Sequence, residues 1–587
     1  MIARRRRAVL IGITAVVSLA AVELLARGME WARDALFPAA HPFVDAANPV
    51  PVFEPGEFEG RPVYRRTRHH PLMMPDQRFA APKPANGFRV FLLGGSAAGG
   101  WPFDFSGSEH TIAQLLRRKL EMLLPDRQVE VVDAAGGTYA SHRVRFVFDE
   151  IIDYEPDLVL VYSGNNEFLE HFVFRPRLPP EPWSRIALMR ILHRGLSQWS
   201  ARPSFDVENY TLADQTSNRL AYAFGRASRY TEDPQQLDEL VAHYRHNLDS
   251  MVREARERGV SILLLNVPVN MKDWIPNASR HGTDLSEAEL GRWQRHFTEG
   301  VLALEAGDAA GAARALEAAV ALDAAHAESH YRLAIALHRL GRIADAKAAY
   351  AMAVERDAYP FRAIPAFQRI IGELAREHGI PRVDIVSALE RRAEDGILGL
   401  DVLVDYVHLS EESQEVVAHE VVRAMEDAGL FPASPALPLA ATRIEIPRGF
   451  RPWVEVRETQ LLYRQYLVMR QYDELDAIFE RLEDVMIRAP LERPDLAAYC
   501  AERLQMAYRI QAVVDPYRRL LRAEKLGRVG QEFTREKARH IYGDYVRMIR
   551  AFEAPRLSPE RFRELVPPLR YPGPTGAAGR ASGADEP

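Results

Sequence analysis

The chain's 587 residues exceed what one hydrophobic core usually holds, so two to four structural units are expected. A hydrophobic share of 47% beside 27% charged residues is that of a folded soluble body, and a net charge of -6 without a basic, aromatic-interleaved face argues against nucleic-acid binding. The one cysteine, Cys500, excludes an intrachain disulfide framework and a thiolate metal cage, and the His and carboxylate residues show no ligand spacing, so neither metal nor cofactor is expected.

Residues 1–30 open with Arg4 to Arg7, followed by an apolar run from Ala8 to Val22 broken only by Thr14 and Ser18, which continues past Glu23 through Leu24-Leu25-Ala26. A basic flank before such a run predicts a membrane anchor with its amino end in the cytoplasm. A removable signal peptide cut near Ser18-Leu19-Ala20 is the competing reading, and both export the body, to a bacterial periplasm or cell envelope. A cytosolic chain with a buried N-terminal helix is the third.

Residues 31–81 read as an extended connector, rich in Pro, Arg, His and Phe from Pro49 onward and without helical or strand period. The main body spans 82–428. Arg89 to Leu93 reads as a buried strand ending in Gly94-Gly95-Ser96, and Ser108 to Leu124 as an amphipathic helix. Gln128 to Asp133 alternates as a strand, Ala134 to Ser141 is a turn, and a helix follows to about Tyr154. Leu158 to Tyr162 is a third buried strand, ending in Ser163-Gly164-Asn165-Asn166-Glu167, and further strands fit at Ser261 to Val267 and Arg382 to Ile385. Strands alternating with helices predict an α/β fold with a parallel sheet covered on both faces.

Two insertions interrupt this body. The first begins near Glu170 with a proline-rich stretch, then a helix from Trp183 to Trp199 with Ile186, Met189 and Leu192 near one side and Arg185, Arg190 and Arg194 on a polar side. Packing on the sheet is the plainer reading, a lid or a lipid-surface helix the sharper one. The second, 285–378, is an internal repeat. Gly307-Asp308 and Gly341-Arg342 lie 34 residues apart, and Ala312, Leu316 and Ala319 find counterparts in Ala346, Tyr350 and Ala353. This period resembles the tetratricopeptide repeat. Two units need neighbours to bury their faces, and Leu285 to Phe297 and Ala363 to His378 are the predicted flanking helices. Such repeats bind a protein or peptide partner or act as a spacer. Residues 429–570 read as a helical region without chemical motifs, and 571–587 as a disordered tail.

In a parallel sheet the loops after successive strands share one edge. Ser96, Gly136-Gly137 and Gly164-Asn165-Asn166 therefore converge there, offering a hydroxyl, glycine N–H groups and an asparagine amide. A serine nucleophile needs such donors for its oxyanion and a base held by an acceptor. Asp405-Tyr406-Val407-His408 supplies both on one turn, just before a helix capped around Ser410-Glu411-Glu412-Ser413.

The ordered set Gly95-Ser96, Gly136 or Gly137, Gly164-Asn165-Asn166 and Asp405-x-x-His408 resembles the blocks of the SGNH/GDSL hydrolase superfamily, over roughly Pro82 to Ala428. The resemblance implies a flavodoxin-like sandwich and a serine esterase or deacylase acting on an ester-bearing small molecule, glycan or lipid of the envelope. It makes Ser96 the nucleophile, His408 the base and Asp405 its orienting acid. The oxyanion donors are the Ser96 amide, Gly136 or Gly137, and Asn166, with Gly95, Gly164, Asn165 and Glu167 in support. The first block reads Gly-Gly-Ser instead of Gly-Asp-Ser, and Glu167 stands where Asp is usual. An O-acyltransferase uses the same residues, and a membrane-anchored, catalytically idle scaffold presenting its repeats is the alternative from another class.

Overall fold

The computed structural model describes residues 51–67, 77–103, 110–168, 234–430, 439–445, 448–468 and 474–525, with helical positions between 14 and 32 and a short segment between 186 and 192. Most of residues 1–19, most of the first insertion, and the predicted tail lie outside this set.

The body is built on β4 (Gly87–Gly94), β5 (Gln128–Asp133), β6 (Leu158–Tyr162), β7 (Ser261–Leu265) and β8 (Arg382–Val383). These pair in parallel in the order β5-β4-β6-β7-β8, which is the flavodoxin-like order 2-1-3-4-5. Every residue of β4 and β6 is buried, as strands covered on both faces must be. Right-handed crossovers that run first to one side of β4 and then to the other put their helices on opposite faces. Accordingly α1 (Ile112–Leu123), which follows β4, packs on the late helix α10 (Glu411–Asp427). α2 (Ser141–Ile151), α3 (Pro234–Glu257) and α8 (Pro365–His378) pack in sequence on the other side.

The segment read as an extended connector is instead a small antiparallel sheet of β1 (Phe53–Phe58), β2 (Arg61–Arg66) and β3 (Arg78–Ala80). Glu59 and Gly60, both at positive φ (51° and 73°), make the tight two-residue hairpin between β1 and β2. Pro55 is tolerated because β1 is an edge strand. Phe53 and Phe79 pack edge-on against Phe91 of β4 at 6.4 and 5.3 Å. Between the layers the buried Arg89 guanidinium reaches Glu130 (2.7 Å) and the carbonyls of Tyr154 (2.6 Å) and Ala80 (2.7 Å).

The internal repeat forms two helical hairpins, α4 (Glu287–Glu305) with α5 (Ala309–Leu322) and α6 (Ala327–Arg339) with α7 (Ile343–Glu355). Gly307 and Gly341, the pair that marked the period, both take left-handed φ (80° and 74°) where one helix of a hairpin ends. The predicted flanking helices need correction. α4 is the leading helix of the first hairpin, not a neighbour of it. α8 buries Phe367, Ile370, Ile371 and Leu374 in the core of the sheet, not on the repeats. What covers the repeats is the loop after β7 and the loop before residue 405, through Met271, Ile275 and Ile397.

Within the region read as helical, 429–570, the described residues form α11 (Arg451–Val468), α12 (Leu475–Glu492) and α13 (Ala497–Lys525), and residues 526–570 lie outside the described set. Their cluster closes over Trp274, Tyr359 and Phe361. α9 (Ile385–Glu390) follows β8 and precedes the loop of Asp405 and His408.

Among the described residues no helix is long and apolar enough to cross a membrane. In the helical stretch 20–29, Glu23 accepts the N–H groups of Ala187 (2.9 Å) and Leu188 (3.1 Å) and pairs with Arg27. These bonds, that of Ala187 foremost, hold its carboxyl below the ordinary value. The described part of the first insertion is thus fastened to the N-terminal stretch, where packing on the sheet had been the plainer expectation.

Candidate active site

β4 ends where its chain must pass close to β6. A Cβ on Gly94 would lie 2.1 Å from the Tyr162 carbonyl oxygen, so only glycine allows that approach. The chain then turns: the Gly95 carbonyl accepts from the N–H groups of Ala98 and Gly99, both at 3.1 Å. Ser96 heads this turn. The first N–H groups of a helical turn have no partner within it, and the Ser96 amide donates to no group among the described residues.

Across 312 positions of sequence, Ser96 Oγ meets His408 Nε2 at 2.8 Å. His408 Nδ1 lies 2.7 Å from Asp405 Oδ2, and Asp405 Oδ1 accepts the N–H groups of Val407 and His408, each at 2.9 Å. A carboxylate only accepts, so Nδ1 carries the ring proton and Nε2 is left to accept from the Ser96 hydroxyl. Asp405 is fully buried and His408 nearly so, while Ser96 is partly exposed. Ser410 caps α10 directly behind them, accepting the Ser413 N–H.

The block-two turn places its adjacent glycines differently. Gly136 donates its N–H to the Gly94 carbonyl at 3.0 Å, so the expectation of an oxyanion donor there is corrected for Gly136. Its role is steric, since a Cβ would strike the Tyr139 ring at 2.6 Å. The Gly137 N–H has no acceptor among the described residues. Asn166, buried after β6, donates Nδ2 to the Tyr139 carbonyl at 3.0 Å and keeps a second amide hydrogen for a ligand.

The supporting residues have separate tasks. Gly164 takes a φ of 146°, and a Cβ there would press on Val267 at 3.2 Å and the Tyr244 hydroxyl at 3.3 Å. Asn165 Oδ1 accepts the Ala363 N–H at 3.1 Å. Glu167 is not at the reacting end. Its two carboxylate oxygens take the N–H and hydroxyl of Ser141, both at 2.8 Å, so it caps α2 and pins the third loop to the second.

Sequence reasoning missed two aromatic groups. Trp101 lies with its ring centroid 4.4 Å from that of His408, tilted by 52°, and its backbone N–H donates to the Ser96 carbonyl. Tyr406 sits between His408 (5.9 Å) and Trp274 (5.2 Å), and burial followed by the Asp405 charge pushes its phenol well up, so it stays neutral. Neither carries a local sequence signal, because each acts by stacking across loops. Among the described residues no group of three or more His, Cys, Asp or Glu side chains is arranged to hold a metal ion.

A family model described as a tetratricopeptide repeat matches residues 303–359. No curated protein matches the chain. Among solved structures the chain is similar to TesA, with 13% identity, a TM-score of 0.26 and coverage of 58% of this chain and 99% of that one. It is similar also to Axe2, an acetylxylan esterase from Geobacillus stearothermophilus, with 11% identity, a TM-score of 0.25 and coverage of 58% and 94%. An alpha/beta hydrolase enzyme from the metagenome of Lake Arreo, Spain, gives 11% identity, a TM-score of 0.25 and coverage of 58% and 95%.

Proposed function

We propose that the chain is a serine esterase or deacylase of the cell envelope. The observation that carries this is the unbroken line from Ser96 Oγ through the His408 ring to the buried Asp405 carboxylate, at the carboxyl edge of the sheet. His408 Nε2 takes the Ser96 proton as Oγ attacks the ester carbonyl carbon. The oxyanion that forms meets the N–H groups of Ser96 and Gly137 and the Asn166 amide. The imidazolium, stabilised by Asp405, then gives its proton to the departing alkoxide, leaving an acyl-Ser96 ester. Water attacks this ester as His408 takes its proton, releasing the carboxylic acid and restoring the Ser96 hydroxyl. An acceptor hydroxyl in the place of water makes the same cycle an O-acyl transfer, which product analysis separates.

The apolar run behind Arg4 to Arg7 supports export and an anchored body, with an ester-bearing small molecule, glycan or lipid as substrate. Glu167, which stands where Asp is usual, caps α2 through Ser141, a task separate from the chemistry at Ser96. The test is labelling by a fluorophosphonate and hydrolysis of a short-chain aryl ester. Ser96→Ala is expected to abolish labelling and to lose about 10³-fold or more in turnover. Equal turnover by wild type and Ser96→Ala removes the reading.

A further inference from the structure

The segment that leaves the last repeat helix is pinned at every step. Asp357, two residues beyond α7, accepts the N–H groups of Asn277 (3.0 Å), Ala278 (3.1 Å) and Tyr359 (3.0 Å), and the Arg362 guanidinium lies at 3.3 Å. Asp357 and Arg362 are 2% and 1% exposed. Arg362 also donates to the carbonyls of Asn270 (2.6 Å) and Trp274 (3.0 Å). The fully buried Asn270 passes this contact on. Its side-chain amide donates to the Asp405 carbonyl at 3.1 Å, and its N–H donates to the Tyr406 carbonyl at 3.0 Å. Its Oδ1 accepts the Asp273 N–H at 2.9 Å. One residue past Arg362, the Ala363 N–H bonds Asn165. Residues 357–363 therefore hold both sides of the candidate site, the loop of Asp405 and His408 and the turn of Asn165 and Asn166.

A buried ion pair is a poor way merely to join two helices, since apolar packing of like volume serves as well or better. Its gain is fixed geometry. The Asp405 carboxylate aims at His408 only if its backbone is held, and a misplacement of about 1 Å costs about 100-fold in rate. We propose that Asn270 and Arg362 are positioning residues for the reaction at Ser96: Arg362 fixes Asn270, and Asn270 fixes the backbone of Asp405 and Tyr406. The Asp357–Arg362 pair thereby ties the exit of the repeats to the His408 ring.

This rests on the esterase reading, so wild type is assayed first, full length, by fluorophosphonate labelling and aryl-ester turnover. A wild type that neither labels nor turns over removes that reading and this one together. With an active wild type, Asn270→Asp keeps the acceptor for Asp273 but loses the donor to the Asp405 carbonyl. Its kcat per labelled site is expected to fall about 10- to 100-fold, with KM within about twofold and phosphonylation slowed in parallel. The charge-neutral pair Asp357→Asn with Arg362→Met, which leaves no lone buried charge, is expected to retain cooperative melting and show the same split. Wild-type kcat per labelled site in either variant overturns the proposal, whatever its melting temperature, because a purely structural role lowers the number of sites and not their turnover.

Discussion

Gly95 and Asn166 occupy each other's space: a Cβ on Gly95 would lie 2.1 Å from the Asn166 Nδ2. The glycine that stands before Ser96, in place of the aspartate usual in the resembling family, is what lets this amide lie against the turn. Gly95→Ala is expected to keep the fold, since the atom struck is the end of a side chain, but to swing the amide off the Tyr139 carbonyl. Loss of one oxyanion donor costs about 10²-fold in kcat. Steady-state kinetics on an aryl ester check this, and Asn166→Ala should lose a similar factor. Near-additive losses in the double variant would mean that the two residues act separately.

Glu167 makes a prediction about stability, not rate. Removing a buried acceptor leaves the Ser141 N–H without a partner at the start of α2, at a cost of about 2 kcal/mol. Urea denaturation of Glu167→Ala should show that loss, with kcat per labelled site changed less than in Gly95→Ala. Glu167→Asp, one methylene shorter, should fall between the two. Unchanged denaturation midpoints in both variants would leave the cap without energetic weight.

The helix crossing in the first repeat is set by Gly300, where a Cβ would lie 2.4 Å from Leu316 Cγ. Gly300→Ala gains about 1 kcal/mol of helix propensity but overpacks a buried contact at about 1–3 kcal/mol, so net destabilisation is expected. Adding Leu316→Ala to Gly300→Ala should cost less than Leu316→Ala alone costs in the wild type. Strict additivity in thermal melts would show that the crossing does not depend on this contact.

β4, β6 and β7 were legible as apolar runs and β5 by its alternation, while Ser96 stood out in the glycine turn that closes β4 and His408 by its spacing from Asp405 ahead of the Ser410 cap. β1 to β3 escaped because Pro55 and Gly56 break the alternation of an edge strand, although Glu59-Gly60 marked the hairpin. α4 passed for a flanking helix because its Trp293 has only Ala327 as counterpart, while the informative equivalences, Phe297 with Tyr331 and Gly300 with Ala334, are looser. Asn270, Trp101 and Arg362 were invisible for a different reason. Each sits in a non-periodic loop and does its work through contacts to residues distant in sequence, and no local pattern encodes such partners.

The last prediction concerns pH. Glu458 on α11 accepts the Glu411 N–H at 3.2 Å, at the head of α10 and three residues past His408. Burial first, then the negative charges of Glu411 and Glu412, lift its carboxyl from 4.5 to about 7, against the opposing pull of the Glu411 N–H and Arg481. Below pH 4.5 the group is protonated whether the chain is folded or not, and its stabilising contribution is fully present. Between 4.5 and 7 the unfolded chain gives up the proton and the folded one keeps it, so stability falls as pH rises, and above 7 the loss is complete. Glu458→Gln keeps an acceptor for the Glu411 N–H and removes the charge. The melting temperature of the variant relative to wild type should therefore climb from pH 4.5 to about 7 and then level off. A difference that stays constant across that window would show that Glu458 titrates as an ordinary carboxylate and that the contact between α10 and α11 is insensitive to it.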